Sequence, residues 1–226
     1  MFLVLEGIDG AGKSRQIELL VQHFTASGQT VRRCHFPRTE SEPYGGLIAA
    51  FLRGEYGENL SPRLIALLYA LDRREAAGAI REWLAAGELV IVDRYLHSNL
   101  AYQGAKLSDP GERQELLAWI ENLEYVSHAI PRPDLAIFLD VPLDFAWSNL
   151  SRPRQGQDRG YLQGGEDIHE KDSHFQRQVR DVFLDLVREG KLARVDCATP
   201  GGGMAKPEAV HQDIINLLRQ SDLLAR

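Results

Sequence analysis

The run Glu6-Gly7-Ile8-Asp9-Gly10-Ala11-Gly12-Lys13-Ser14 constrains this chain more than any other stretch. From Gly7 to Ser14 it fits the pattern G-x-x-x-x-G-K-[S/T] in full. Glycines at those positions let consecutive backbone N–H groups turn inward around a phosphate chain. The lysine then reaches the outer phosphates and the hydroxyl binds magnesium. The pattern carries that chemistry only between a strand and a helix, and both are expected. Phe2-Leu3-Val4-Leu5 is a short apolar run suited to a buried parallel strand. After Ser14, Ile17, Leu19, Leu20, Val21 and Phe24 form a broad apolar helix face, and Ser27-Gly28 supplies a stop signal.

Five strand candidates alternate with helical segments: Phe2–Leu5, Val31–Phe36, Leu89–Asp93, Leu135–Asp140 and Leu192–Cys197. That alternation predicts an α/β fold, a five-stranded parallel sheet with helices on both faces. Ligands of such sheets bind beyond the carboxyl ends of the strands. Phe36-Pro37-Arg38 follows the second strand and Asp93-Arg94-Tyr95 the third. An acidic residue closing an apolar strand is the usual second half of a phosphate-loop site, where it helps to hold magnesium. The plainer reading of Asp93-Arg94 is a surface ion pair. A helical pattern runs from about Leu64 to Ala86, and Tyr69 and Arg73, four apart, share one of its faces. They could stack on and hydrogen-bond a base, but taken alone the pair is better read as a core tyrosine and a solvated arginine.

From Ser151 to Gly165 the chain holds four glycines and three arginines, Arg152, Arg154 and Arg159, with almost no apolar pattern. It reads as a mobile loop, a lid in a phosphate-transfer enzyme. A helix is expected from about Asp167 to Glu189, and a last one over Pro207–Arg219. His169-Glu170 and His174 resemble a zinc-protease motif, but histidines five apart lie about 140° from each other on a helix. The other histidines do not cluster either.

The length of 226 residues suits a single α/β domain with a full core. A net charge of −6 gives no global basic field for nucleic acid or an anionic membrane. An anionic ligand must then be held by local arginines and backbone dipoles. No apolar run approaches the roughly 20 residues of a membrane span, and the start of the chain has neither the basic segment nor the apolar length of a signal peptide. Cys34 and Cys197 fall in expected strands and read as buried thiols of a cytoplasmic protein.

The Asn-Lys-x-Asp pattern of small GTPases and the Leu-Ser-Gly-Gly-Gln signature of transporter ATPases are absent. What is present resembles the nucleoside monophosphate kinases, and within them the thymidylate kinase family. The resemblance rests on an ordered set: the Glu6–Ser14 loop with Asp9, Phe36-Pro37-Arg38, Leu68-Tyr69-Ala70-Leu71-Asp72-Arg73, then Asp93-Arg94-Tyr95 with Ser98-Asn99 and Ala101-Tyr102-Gln103-Gly104. It implies a three-layer P-loop NTPase fold, ATP as phosphoryl donor, Mg2+, dTMP as acceptor and a homodimer. The nucleotide would lie on Gly7, Ile8, Asp9, Gly10, Ala11, Gly12, Lys13, Ser14 and Arg15. The acceptor would lie among Asp9, Phe36, Arg38, Tyr69, Arg73, Arg94, Ser98, Asn99, Tyr102 and Gln103.

Within that set the resemblance implies that Tyr69 stacks on thymine, Arg73 hydrogen-bonds its edge, and Ser98 or Asn99 reaches the base. Tyr102 packs near the sugar, Asp9 sits at its 3′-hydroxyl, and Arg38 and Arg94 grip the monophosphate. Ser14 and Asp93, with Glu170, are the metal-side residues. Lys13, Arg94, Asp9 and the lid residues Arg152, Arg154 and Arg159 form the catalytic set, since members with no arginine beside the loop Asp carry one in the lid. Three departures stand out: Arg15 where threonine is usual, Tyr69 for phenylalanine, and His169 at a position often aromatic. Another nucleotide or deoxynucleoside kinase, or a non-catalytic ATP sensor, are the alternatives.

Overall fold

Phe2–Glu6 (β1) is buried at every position, as a strand covered on both faces must be. It pairs in parallel with Leu89–Asp93 (β3) on one side and Leu135–Asp140 (β4) on the other. Val31–His35 (β2) and Ala193–Asp196 (β5) form the edges, so the order is β2-β3-β1-β4-β5 with every pairing parallel. All five expected strands form, each within one residue of its expected ends. The edge strands carry charges along their length, Arg32 and Arg33 in β2 and Arg194 and Asp196 in β5, whereas each inner strand is charged only at its last residue, which suits strands with one unpaired side. The structure, a computed structural model, describes residues 1–57, 60–151 and 172–224.

Lys13–Ala26 (α1) leaves the loop after β1 and ends where expected, with Gly28 at φ +82° just beyond it. Tyr44–Leu52 (α2) and Pro62–Ala85 (α3) lie between β2 and β3. Pro62 opens α3, a position where its missing N–H costs nothing. Leu96–Gly104 (α4) follows β3 directly and is buried at all nine of its positions, packed against α3, Pro110–Glu121 (α5) and Ser173–Arg188 (α7). A wider π-type turn, Asn122–Ser127, continues α5. Leu143–Leu150 (α6) follows β4, and Pro207–Gln220 (α8) comes last.

The helix expected from Asp167 begins instead at Ser173. Asp172 has extended backbone and its carboxylate accepts from the backbone N–H groups of His174 and Phe175, so it caps the helix from outside. One cysteine also differs from expectation. Cys197 is fully buried just past β5, but Cys34 is only half-buried on the edge strand β2. Burial pushes both thiols up, Cys34 to about 11 and Cys197 to about 12.

The core is sandwiched between sheet and helices, and Phe138 of β4 stacks on Phe183 of α7 with centroids 4.8 Å apart. Asp140 fastens the same pair of elements: Arg180 of α7 donates to both of its carboxylate oxygens at 2.6 and 3.0 Å. Replacing Phe183 with alanine is expected to cost about 3–5 kcal/mol, transfer energy plus the cavity left behind. Urea unfolding of Phe183→Ala beside the parent protein measures it, and a loss below about 1 kcal/mol would place α7 outside the core.

Candidate active site

The loop between β1 and α1 turns through two left-handed glycines, Gly10 at φ +78° and Gly12 at φ +77°. Gly10 is also fixed by contact: a Cβ there would lie 2.4 Å from the carbonyl oxygen of Ala146 in α6. Asn149 of the same helix donates to the Gly10 carbonyl at 2.9 Å. Gly12 precedes the first turn of α1, so the loop delivers a ligand to a helix N-terminus, where free N–H groups favour an anion. Ser14 is exposed on that turn.

Lys13 folds back over the loop and donates from Nζ to the carbonyls of Gly7 and Ile8 at 3.2 and 3.1 Å. Burial, then the charge of Arg94, lowers its pKa to about 8 against the pull of Asp93, Asp9 and Glu6. Arg94 reaches the same place from β3. Its backbone is left-handed, φ +62°, a strained setting for a residue with a Cβ. Its guanidinium donates to the Gly7 carbonyl at 2.9 Å, to Ser98 Oγ at 3.2 Å and to Asp9 Oδ1 at 2.5 Å. The surface pair Asp93–Arg94 is therefore not what forms.

Asp9 is where the loop, α4 and α7 meet. Besides Arg94 it accepts from the Tyr102 hydroxyl at 2.8 Å and from Gln176 Nε2 at 2.7 Å, and its own N–H donates to Gln176 Oε1 at 3.1 Å. Burial would raise its pKa, but the charges of Arg94 and Lys13 and these hydrogen bonds outweigh it and hold the carboxyl at about 2. Burial pushes the Tyr102 hydroxyl well up, which keeps it a donor, and its ring lies 5.2 Å from the Arg94 guanidinium. Gln176 belongs to no motif. Its one signal was position, a polar residue on the apolar face of α7 that carries Val179 and Phe183.

The neighbouring pair Ser98 and Asn99 diverges. Ser98 donates its hydroxyl to Glu6 Oε2 at 2.5 Å, and the other oxygen of Glu6 accepts from the Tyr95 N–H at 2.9 Å and the Ser98 N–H at 3.3 Å. Glu6 is fully buried; the bonds and charges of His97, Ser98 and Arg94 lower its pKa against the effect of burial. Ser98 thus faces the β1 end and steadies Arg94, and of the two it is Asn99 that meets Glu124, the partner of Arg73. Asn99 Nδ2 donates to the Ala66 carbonyl at 3.0 Å and to Glu124 Oε1 at 2.9 Å. Arg73 is also turned inward, 2% exposed, and donates to Glu124 at 2.5 and 2.7 Å. Tyr69 is half-buried one turn before it.

Phe36 lies under two arginines, 5.9 Å from Arg38 and 6.0 Å from Arg73. Arg38 is held by Asp72, which accepts from its Nε at 2.8 Å and its backbone N–H at 2.9 Å. Gln103 is buried and accepts from Lys106 at 3.0 Å. Arg15 points to the surface, paired with Glu18 at 3.3 Å and Glu208 at 3.9 Å. Asp93 closes β3 with Oδ2 3.4 Å from His35 Nδ1; burial would raise its pKa, but His35, Lys13 and Arg94 lower it. Its other oxygen is buried without a protein partner among the described residues, as a carboxylate facing a cation or its water would be. No group of three or more His, Cys, Asp and Glu is arranged around a metal among the described residues. That fits magnesium, which is held by one or two protein groups beside phosphate and water. Arg152, Arg154, Arg159 and Glu170 lie outside the described residues.

Residues 5–214 match the family model described as thymidylate kinase. A thymidylate kinase of Mycobacterium tuberculosis is 33% identical over 191 residues, 84% of this chain and 87% of that protein. A probable thymidylate kinase of Pyrococcus abyssi is 36% identical over 222 residues, 96% of this chain and 95% of that one. The solved thymidylate kinase of Candida albicans, 25% identical, superposes with a TM-score of 0.70 over 97% of this chain and 91% of its own. With its phosphate loop, its five-stranded parallel sheet and a match over nearly its whole length, the chain belongs to the thymidylate kinase family.

Proposed function

We propose that the protein transfers the γ-phosphoryl group of ATP to dTMP, giving dTDP and ADP. The observation that carries this reading is the position of Arg94, whose one guanidinium bonds both the phosphate loop at Gly7 and the carboxylate of Asp9. A cation there bridges a nucleotide on the loop and an acceptor beside α4, which is where charge moves in phosphoryl transfer. The acceptor oxygen of a monophosphate is already anionic, so the reaction needs alignment and charge neutralisation rather than a strong base. Every oxygen of Asp9 is bonded, which suits an anchor for Arg94 and the sugar side better than a proton acceptor.

Lys13 exchanges its loop carbonyls for the outer phosphates. Arg38, set by Asp72, and Arg94 hold the acceptor phosphate. Tyr69 and Phe36 bound the base, with Arg73 and Asn99 at its edge. Magnesium, held by Ser14 and Asp93 with Glu170 as a third candidate, would screen the phosphate charges when bound. Arg152, Arg154 and Arg159 are proposed to meet the moving phosphoryl group. The resemblance extends the proposal to a homodimer in the cytoplasm.

The direct test is ADP release from magnesium-ATP with dTMP, dUMP, dCMP, AMP, GMP and thymidine offered separately. Rapid turnover with dTMP, weaker with dUMP, is expected. A different preferred acceptor would discard the thymine pocket, and ATP binding with no acceptor-dependent turnover would make the protein a sensor. Replacing all three lid arginines with alanine should lower kcat about a thousandfold or more while dTMP affinity stays within about threefold, because binding rests on α3, α4 and Arg38. A near-normal kcat would remove the lid arginines from the reaction. Lys13 adds a pH dependence: it carries its charge below about 8 and loses it above. ATP should bind roughly tenfold more weakly per pH unit above that point, and a Kd that is flat from pH 7 to 9 in calorimetric titration would show that binding does not draw on a titration of Lys13 in that range.

A further inference from the structure

Asn99 is 3% exposed, and its Oδ1 is a buried oxygen without a partner among the described residues. Such an atom is costly to leave bare, so it points to a ligand or a water that supplies a donor, or to an amide placed the wrong way round. Its neighbours exclude the misplaced amide. Nδ2 faces the Ala66 carbonyl at 3.0 Å and Glu124 Oε1 at 2.9 Å. A backbone carbonyl can only accept, and so can a carboxylate engaged by a guanidinium. Turning the amide over would set one oxygen against two others. Both amide hydrogens are spent on the protein, and what Asn99 keeps for a ligand is an acceptor.

The same carboxylate holds Arg73. Glu124 accepts from Nε at 2.5 Å and from Nη2 at 2.7 Å, which fixes the plane of the guanidinium and leaves Nη1 outside the pair. Glu124 is 0% exposed and is the buried residue of the π-type turn after α5, a kind of helix irregularity that recurs at functional sites. We infer that Glu124 is a positioning residue that sets the base specificity of this site by fixing the polarity of Asn99 and the plane of the Arg73 guanidinium. Together they present an acceptor beside a donor. Thymine and uracil match with the N3–H donor and the O4 acceptor. Cytosine presents the reverse at both places, an acceptor at N3 and an amino donor at C4. Glu124 touches neither base, yet it decides which one the pair accepts.

The inference rests on the proposed acceptor site, and the test separates the two. kcat/KM is measured for dTMP, dUMP and dCMP with the parent protein, Glu124→Gln and Glu124→Asp. In Glu124→Gln the Ala66 carbonyl still faces Asn99, but the charge that fixes the Arg73 guanidinium is gone and a neutral amide no longer holds Asn99 from its second side. The preference for dTMP over dCMP should fall about ten- to a hundredfold, the worth of a charge-assisted hydrogen bond. The preference for dTMP over dUMP should stay within about twofold, because these bases differ only in a methyl group that the pair does not read. Glu124→Asp keeps the carboxylate and should keep both preferences. Partial unfolding lowers all three rates alike and cancels from the ratios.

A folded Glu124→Gln with the parental dTMP-to-dCMP preference overturns this inference alone. A parent protein that does not prefer dTMP to dCMP overturns the proposed function and this inference with it. Where Glu124→Gln yields no folded protein, nuclear magnetic resonance of the parent decides. The two Asn99 side-chain amide hydrogens should exchange slowly with solvent in the free protein and after dTMP is added, and rapid exchange of either overturns the inference.

Discussion

The ion pair between Asp9 and Arg94, 2.5 Å long and largely shielded from water, is the interaction on which the site depends. One partner stands in the phosphate loop and the other at the end of β3, so the pair ties the loop to the neighbouring strand. Removing one member of such a buried pair costs about 3–5 kcal/mol, because it strands the other charge. Tyr102 and Gln176 satisfy the remaining capacity of Asp9, which brings α4 and α7 to the same carboxylate. The left-handed backbone of Arg94 is tolerated because these partners hold its side chain in one place.

The parallel sheet makes this convergence possible. β1 and β3 are neighbours in register, Leu5 opposite Asp93, so the loop after one strand and the turn after the other open on the same side. A buried acid then fixes each side of the helix that follows. Glu6, at the end of β1, takes Ser98, and Glu124, from the turn after α5, takes Asn99. Successive residues on a helix point about 100° apart, and α4 uses that angle to join Glu6 and Arg94 through Ser98 to Glu124 through Asn99. Its burial at all nine positions follows: a helix gripped from several sides has no face left for solvent.

Much of the fold was legible in the residues. The five apolar runs became the five strands because strands covered on both faces need continuous apolar sequence, and that pattern is local. The phosphate loop was legible for the same reason, since its glycines, Lys13 and Ser14 act through backbone geometry within nine residues. The divergence of Ser98 and Asn99 was not legible. Ser98 and Asn99 are adjacent in sequence, and nothing local says that one faces Glu6 and the other Glu124. The start of α7 was misplaced because the capping carboxylate of Asp172 outweighs a helical pattern that continues on both sides of it.

The sequence by itself determined the parallel α/β architecture and the phosphate-binding loop, because both are written in short-range periodicity and spacing. The tertiary structure alone decided the partners of the charged groups. Gln176 lies 167 residues from Asp9 and Glu124 lies 51 from Arg73, and a hydrogen bond carries no mark in either local stretch. Only packing α3, α4, α7 and the π-type turn around the ends of β1 and β3 brings those groups within reach. Burial there excludes the water that would otherwise satisfy them, so the partners they find fix their charge and orientation.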